Sequence, residues 1–93
     1  MIDFRNCCLT GTCIMYIDLE GADCRNTDFR FSVLQEIDFW SANLQNAQFQ
    51  DCILNGADFR RTDLLGAIFT GATRGPDDAI PGWNVVNGLM VAA

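Results

Sequence analysis

The side chains of this 93-residue chain best suited to chemistry are five cysteines and twelve carboxylates; there is no histidine or lysine. General acid–base catalysis needs a poised histidine or a carboxylate pair held in a cleft. A nucleophilic cysteine needs a neighbouring base. Neither arrangement is legible in these residue types. Cys7, Cys8 and Cys13 lie close in sequence, but structural zinc takes four converging Cys or His ligands. Gly66, Gly71 and Gly75 do not open a phosphate-cradling turn between strand and helix. A non-catalytic protein with no metal and no cofactor is expected. What remains is surface chemistry: Asp3, Asp18, Asp23, Asp38, Asp58 and Asp63 each stand just before a bulky apolar residue or Cys24.

Those apolar residues belong to a column with a period of five. It reads Phe4, Leu9, Ile14, Leu19, Cys24, Phe29, Leu34, Phe39, Leu44, Phe49, Leu54, Phe59, Leu64, Phe69. Two residues before each member stands an uncharged side chain that is small or β-branched, from Ile2 and Cys7 to Thr62 and Ala67. Five matches neither the 3.6 of a helix nor the 2.0 of a strand. A separation of two suits extended backbone, where i and i+2 share a side. Asn, Asp, Gly and Ser crowd the other positions, so the chain must turn a corner every five residues. Units this short cannot bury their apolar residues alone, and stacking makes the core continuous.

Segments such as Ala22-Asp23-Cys24-Arg25-Asn26, Ala42-Asn43-Leu44-Gln45-Asn46 and Ala57-Asp58-Phe59-Arg60-Arg61 resemble the A-(D/N)-L-x-x unit of pentapeptide-repeat proteins. Fourteen units run from Ile2 to Gly71 without insertion. The resemblance implies an all-β fold: a right-handed quadrilateral parallel β-helix of about 3.5 coils, four units per coil, over residues 1–71. Residues 72–93 are then a capping tail. In that register residues twenty apart stack, so the surface divides into four faces. Acidic ladders Asp3–Asp23–Asp63 and Asp18–Asp38–Asp58 form two of them, with Asn43 completing the first. Cys13, Val33 and Ile53 make an apolar strip where a carboxylate or amide is usual, with Met15 and Tyr16 at one end. Its expected cover is the folded-back tail or a second copy of the chain, ahead of an external partner. Cys7, Cys24 and Cys52 face inward, while Cys8 and Cys13 face outward.

Two roles are open to the acidic ladders: accepting corner N–H groups, as in Asx-turns, or offering a negative surface to a basic partner. Stacked carboxylates about 4.8 Å apart repel, so the Asp18–Asp38–Asp58 group is expected to have raised pKa values, partly offset by Arg60 and Arg61 close after Asp58, and to gain stability on mild acidification. Asn6, Asn26 and Asn46 predict an amide ladder.

The net charge of −6 argues against direct binding to nucleic acid phosphates. It leaves a protein as the expected partner. Some relatives of this resemblance, the gyrase protectors, imitate duplex DNA toward type II topoisomerases. Residues 2–71 carry −5, against roughly ten charges on the same length of DNA, so such mimicry is the second reading. No apolar run approaches the roughly 18 residues of a membrane span. The start lacks a basic stretch followed by an apolar run, and an odd cysteine count suits a reducing compartment, so the cytoplasm is expected. An uncovered first coil, with Ile2, Phe4, Leu9 and Ile14, predicts self-association there.

The tail departs from the repeat. Arg74-Gly75-Pro76-Asp77-Asp78 marks a break, and Val85-Val86, Asn87-Gly88 and Leu89-Met90-Val91 read as a hairpin around a type I′ turn. Ile80 and Trp83 are the expected cap over Leu64, Ala67 and Phe69.

Overall fold

The computed structural model of the chain describes residues 2–75 and 80–93; of the break predicted over residues 74–78, only Arg74 and Gly75 lie within them. Parallel bridges join Asp3 to Asp23, Asp23 to Asn43 and Asn43 to Asp63, and the same twenty-residue step repeats around the molecule. The chain therefore turns four corners per coil and stacks as a quadrilateral β-helix. The rungs are short and regular: Phe4 N–H donates to the Asp23 carbonyl at 2.8 Å, and Asp23 N–H returns to the Ile2 carbonyl at 2.9 Å. The second face is Cys8–Asp28–Gln48–Ile68, the third Cys13–Val33–Ile53–Thr73 and the fourth Asp18–Asp38–Asp58.

The last residue of every unit, from Asn6 to Gly71, has φ between 57° and 77°. A β-turn with positive φ only at its third residue makes the corner, which favours Gly and Asn. Tyr16, Phe31, Glu36 and Arg61 occupy the same conformation, each at a cost of about 1 kcal/mol. Across the stack, the Asn46 amide fills the space where a Cβ on Gly66 would lie. Asn26 donates to Asn6 Oδ1 at 3.1 Å, so the predicted amide ladder forms its first rung and then gives way to Asn46 over Gly66.

The interior is solid. Phe29, Phe49 and Phe69 form one column with centroid spacings of 5.0 Å, and Phe39 and Phe59 stack at 5.2 Å beside it. The two columns meet edge to face, the geometry aromatic rings prefer. The small inward position tolerates Ser, Thr and Cys because each can bond a carbonyl of the neighbouring coil. Thr27 Oγ1 reaches the Phe4 carbonyl at 2.6 Å, Ser32 Oγ reaches Leu9, and Cys52 Sγ reaches Phe29. Burial pushes the Cys24 thiol up to about 12 and Cys52 to about 11. First-coil Phe4, Leu9 and Ile14 are half-buried, whereas Phe29 and Leu34, one coil on, are fully buried.

The ladder keeps register beyond Gly71. Ala72 is fully buried, Thr73 bridges Ile53, and Arg74 takes the position where a bulky apolar centre belongs. Its guanidinium donates to the Leu54 carbonyl at 3.0 Å and lies 5.1 Å over the Phe59 ring. Strands β1 (Trp83–Val86) and β2 (Leu89–Ala92) then form the antiparallel hairpin, with Val86 opposite Leu89. Asn87 and Gly88 both have positive φ, the type I′ signature. Thr73 bridges Leu89, so β2 adds itself to the end of the third face. Trp83 meets Phe69 edge to face at 5.7 Å, and Ile80 is buried beside the core. Met90, fully buried, joins this cap.

Candidate interaction surface

Each ladder aspartate first serves its own corner. Asp3, Asp18, Asp38 and Asp58 accept the N–H of the residue two further on at 2.9–3.0 Å, and Asp23 and Asp63 do so at 3.2–3.3 Å. That residue is arginine after Asp3, Asp23 and Asp58, as it is after Asp28 on the second face, and i and i+2 of an extended segment share a side, so the guanidinium meets the carboxylate. Ion pairs join Arg5 to Asp3, Arg25 to Asp23, Arg30 to Asp28 and Arg60 to Asp58, at 2.7–2.8 Å. The hydrogen bond from Arg60 holds the Asp58 carboxyl below its ordinary range, and Arg5 holds Asp3 down to about 2. Asp23 and Asp28 are lowered in the same way by Arg25 and Arg30. The expected rise of Asp58 through ladder repulsion is thus reversed. A guanidinium in contact outweighs another carboxylate one rung away.

Unneutralised charge gathers on the first half of the fourth face. Asp18, Glu20 and Asp38 each place a carboxylate oxygen within 4.8 Å of the others, and none forms an ion pair among the described residues. The acidic candidates from sequence therefore separate. Asp3, Asp23 and Asp58 are arginine-paired, Asp63 accepts from Gln45 at 2.7 Å, and Asp18 and Asp38 stand with Glu20.

The third face carries no ladder carboxylate. Cys13 is exposed, Val33 half-buried and Ile53 37% exposed. The hairpin prolongs this face instead of folding over it: Leu89 and Val86 follow Thr73 in the ladder, 45% and 50% exposed. Phe31 stands 65% exposed at one corner of the face and Tyr16 75% exposed at the other. Sequence reasoning set Tyr16 at one end of the strip and passed over Phe31, although its place in the unit marks it as an outward corner residue. A hollow of about 690 Å³ at the seam between the third coil and the tail is lined by Phe59, Arg60, Arg61, Leu64 and Ile80 among others. The hollow belongs to the join with the tail and not to the repeat itself. Among the described residues no helix is long and apolar enough to cross a membrane.

A filled square rod whose variable side chains all point outward defines a repeat solenoid built to present surfaces. This chain carries the pentapeptide repeat: residues 42–73 match the family described as Pentapeptide repeats (8 copies). Its backbone is similar to that of HetL from the cyanobacterium Nostoc, a pentapeptide repeat protein involved in heterocyst differentiation regulation. The TM-score is 0.75 at 28% identity, over 84% of this chain and 36% of HetL. It is also similar to a pentapeptide repeat protein of the Arabidopsis thaliana thylakoid lumen, with TM-score 0.60 and 36% identity, over 75% of this chain and 45% of that one. The chain thus spans less than half the length of either relative. These likenesses agree with the right-handed β-helix expected from the repeat. No curated protein matches the chain.

Proposed function

We propose that this chain is a non-catalytic interaction module that holds a protein partner on its third face. One observation carries the reading: an outward column of apolar residues, 37–50% exposed at Ile53, Leu89 and Val86, where the other three faces bear aspartates. Apolar surface left in line along a rod is the usual mark of a contact face. The regulatory involvement of HetL is in keeping with a partner-binding role.

Mimicry of DNA toward a type II topoisomerase has less support. Four guanidiniums neutralise Asp3, Asp23, Asp28 and Asp58, leaving Asp18, Glu20 and Asp38 as a short negative patch where a duplex would need continuous charge.

The test is binding by the immobilised chain to proteins of its native extract, repeated with each captured protein in purified form. Val33→Asp should abolish binding and leave the melting temperature in place. Binding that survives Val33→Asp and fails with Asp18→Asn/Asp38→Asn would move the contact to the fourth face.

A further inference from the structure

Resting on that reading of the third face, we propose that its occupant is a second copy of this chain, packed face to face about a two-fold axis. The apolar column is longer than the repeat alone supplies. Bridges carry it from Cys13 through Val33, Ile53 and Thr73 to Leu89, and the hairpin register adds Val86. Six rungs at strand spacing make a stripe about 24 Å long. The stripe is uncharged throughout and apolar at every rung but Thr73, whose hydroxyl is bonded to Asn55 Oδ1 at 3.1 Å; such a stripe is complementary to itself, which is what an isologous dimer needs.

Charge selects the same face. Two copies each carrying −6 repel. Every other face sets at least one ladder aspartate into the contact: Asp3, Asp23 and Asp63 on the first, Asp28 on the second, Asp18, Asp38 and Asp58 on the fourth. The nearest carboxylates at the edges of the third face are turned along the rod. Glu36 lies over Gly56 and Asp51 over Gly71, in the space that a Cβ would take. The middle of the stripe is therefore free of charge, and Phe31 and Tyr16 stand exposed at its two corners.

The area suffices. The molecule measures 34 × 24 × 21 Å, so a stripe about 24 Å long on a face about 21 Å wide offers about 500 Å² per partner and about 1,000 Å² in a pair, the lower bound for a specific interface.

The repeat supplies a test that leaves the fold intact. Aspartate is an ordinary rung residue here, accepting the corner N–H as Asp38 does from Trp40. Val33→Asp/Ile53→Asp should therefore fold and melt as a monomeric rod would. Ile68→Asp is the control, since Ile68 is 40% exposed on the second face. In sedimentation velocity up to high micromolar concentration, the unaltered chain and Ile68→Asp should run at twice 10.3 kDa. The double variant should dimerise at least about a hundredfold more weakly, as expected for charges placed at the centre of an interface. A monomeric mass for the unaltered chain at every concentration overturns the proposal. So does a double variant that stays dimeric, the result of pairing through Ile2, Phe4, Leu9 and Ile14. A monomer that still captures a different protein, lost on Val33→Asp, overturns the second copy while the preceding reading stands.

Discussion

On the fourth face Asp18, Asp38 and Asp58 each accept the N–H two residues on. On the third face Cys13, Val33 and Ile53 hold the same rung positions, and Val33 and Ile53 have no side-chain acceptor to offer. The two faces share a corner and a backbone path, while inside the third turns Ile14, Leu34 and Leu54 to the core and the fourth turns Leu19, Phe39 and Phe59. Their outward rung residues differ too, and that difference runs against local stability on the third face. No hydrogen bond from Ile17 N–H to the Ile14 carbonyl closes the first corner there, whereas Ala22 N–H closes the corresponding fourth-face corner to Leu19 at 3.0 Å. Tyr16 adds left-handed strain at that corner. A face that forgoes a carboxylate cap in three successive coils is shaped by something other than folding.

The comparison presumes a common interior that carries the stability, and removing part of it should have the largest effect. Phe49 is fully buried between Phe29 and Phe69. Phe49→Ala should cost about 3–5 kcal/mol and lower Tm by more than about 12 °C, followed by far-ultraviolet circular dichroism. A loss under about 1 kcal/mol would mean that the outer ladders hold the rod together.

Acid should act next, and on the faces that carry paired aspartates. Asp3, Asp23, Asp28 and Asp58 have folded pKa values below the ordinary 3.8. Their contribution is complete above that value and is lost as pH falls toward about 2, where Asp3 titrates. Urea midpoints should hold steady from about pH 7 to 5.5 and drop between about pH 4 and 2. A rise on mild acidification would restore ladder repulsion as the dominant effect.

The sharpest version of the comparison exchanges the rung residues. Asp38→Val removes the acceptor of the Trp40 N–H and should cost about 1 kcal/mol. Ile53→Asp supplies an acceptor at the Asn55 corner and should lie within about 0.5 kcal/mol of the parent, measured at a dilution where copies are separate. Equal losses from both exchanges would show that rung identity matters through burial, not through the corner.

Much of this architecture is legible because the period of five leaves one way to bury Phe4 through Phe69. The hairpin was equally readable, since Asn87-Gly88 can satisfy two successive positive φ values. The rest was harder for specific reasons. Arg74 looks like the end of the register, yet Ala72, two residues earlier, still keeps the inward pattern and the guanidinium folds over Phe59. Met90 lies outside any five-residue period, and only strand alternation against Leu89 and Val91 points it inward. The Asp-x-Arg pairs at 3/5, 23/25, 28/30 and 58/60 were in plain view. An offset at Asp58 from Arg60 and Arg61 was legible, but its reversal of the shift depends on the direct Arg60 contact, which spacing alone does not give.

The quarter-turn built into each unit makes the molecule's outer design sensitive to arithmetic. Duplicating twenty residues after Arg61 would add a storey and leave Leu89 and Val86 in line with Val33 and Ile53. Duplicating five would preserve every interior contact type yet swing everything downstream by about 90°, breaking the stripe across two sides of the rod. In a protein of this kind, length changes that are silent to folding can redirect what the surface meets.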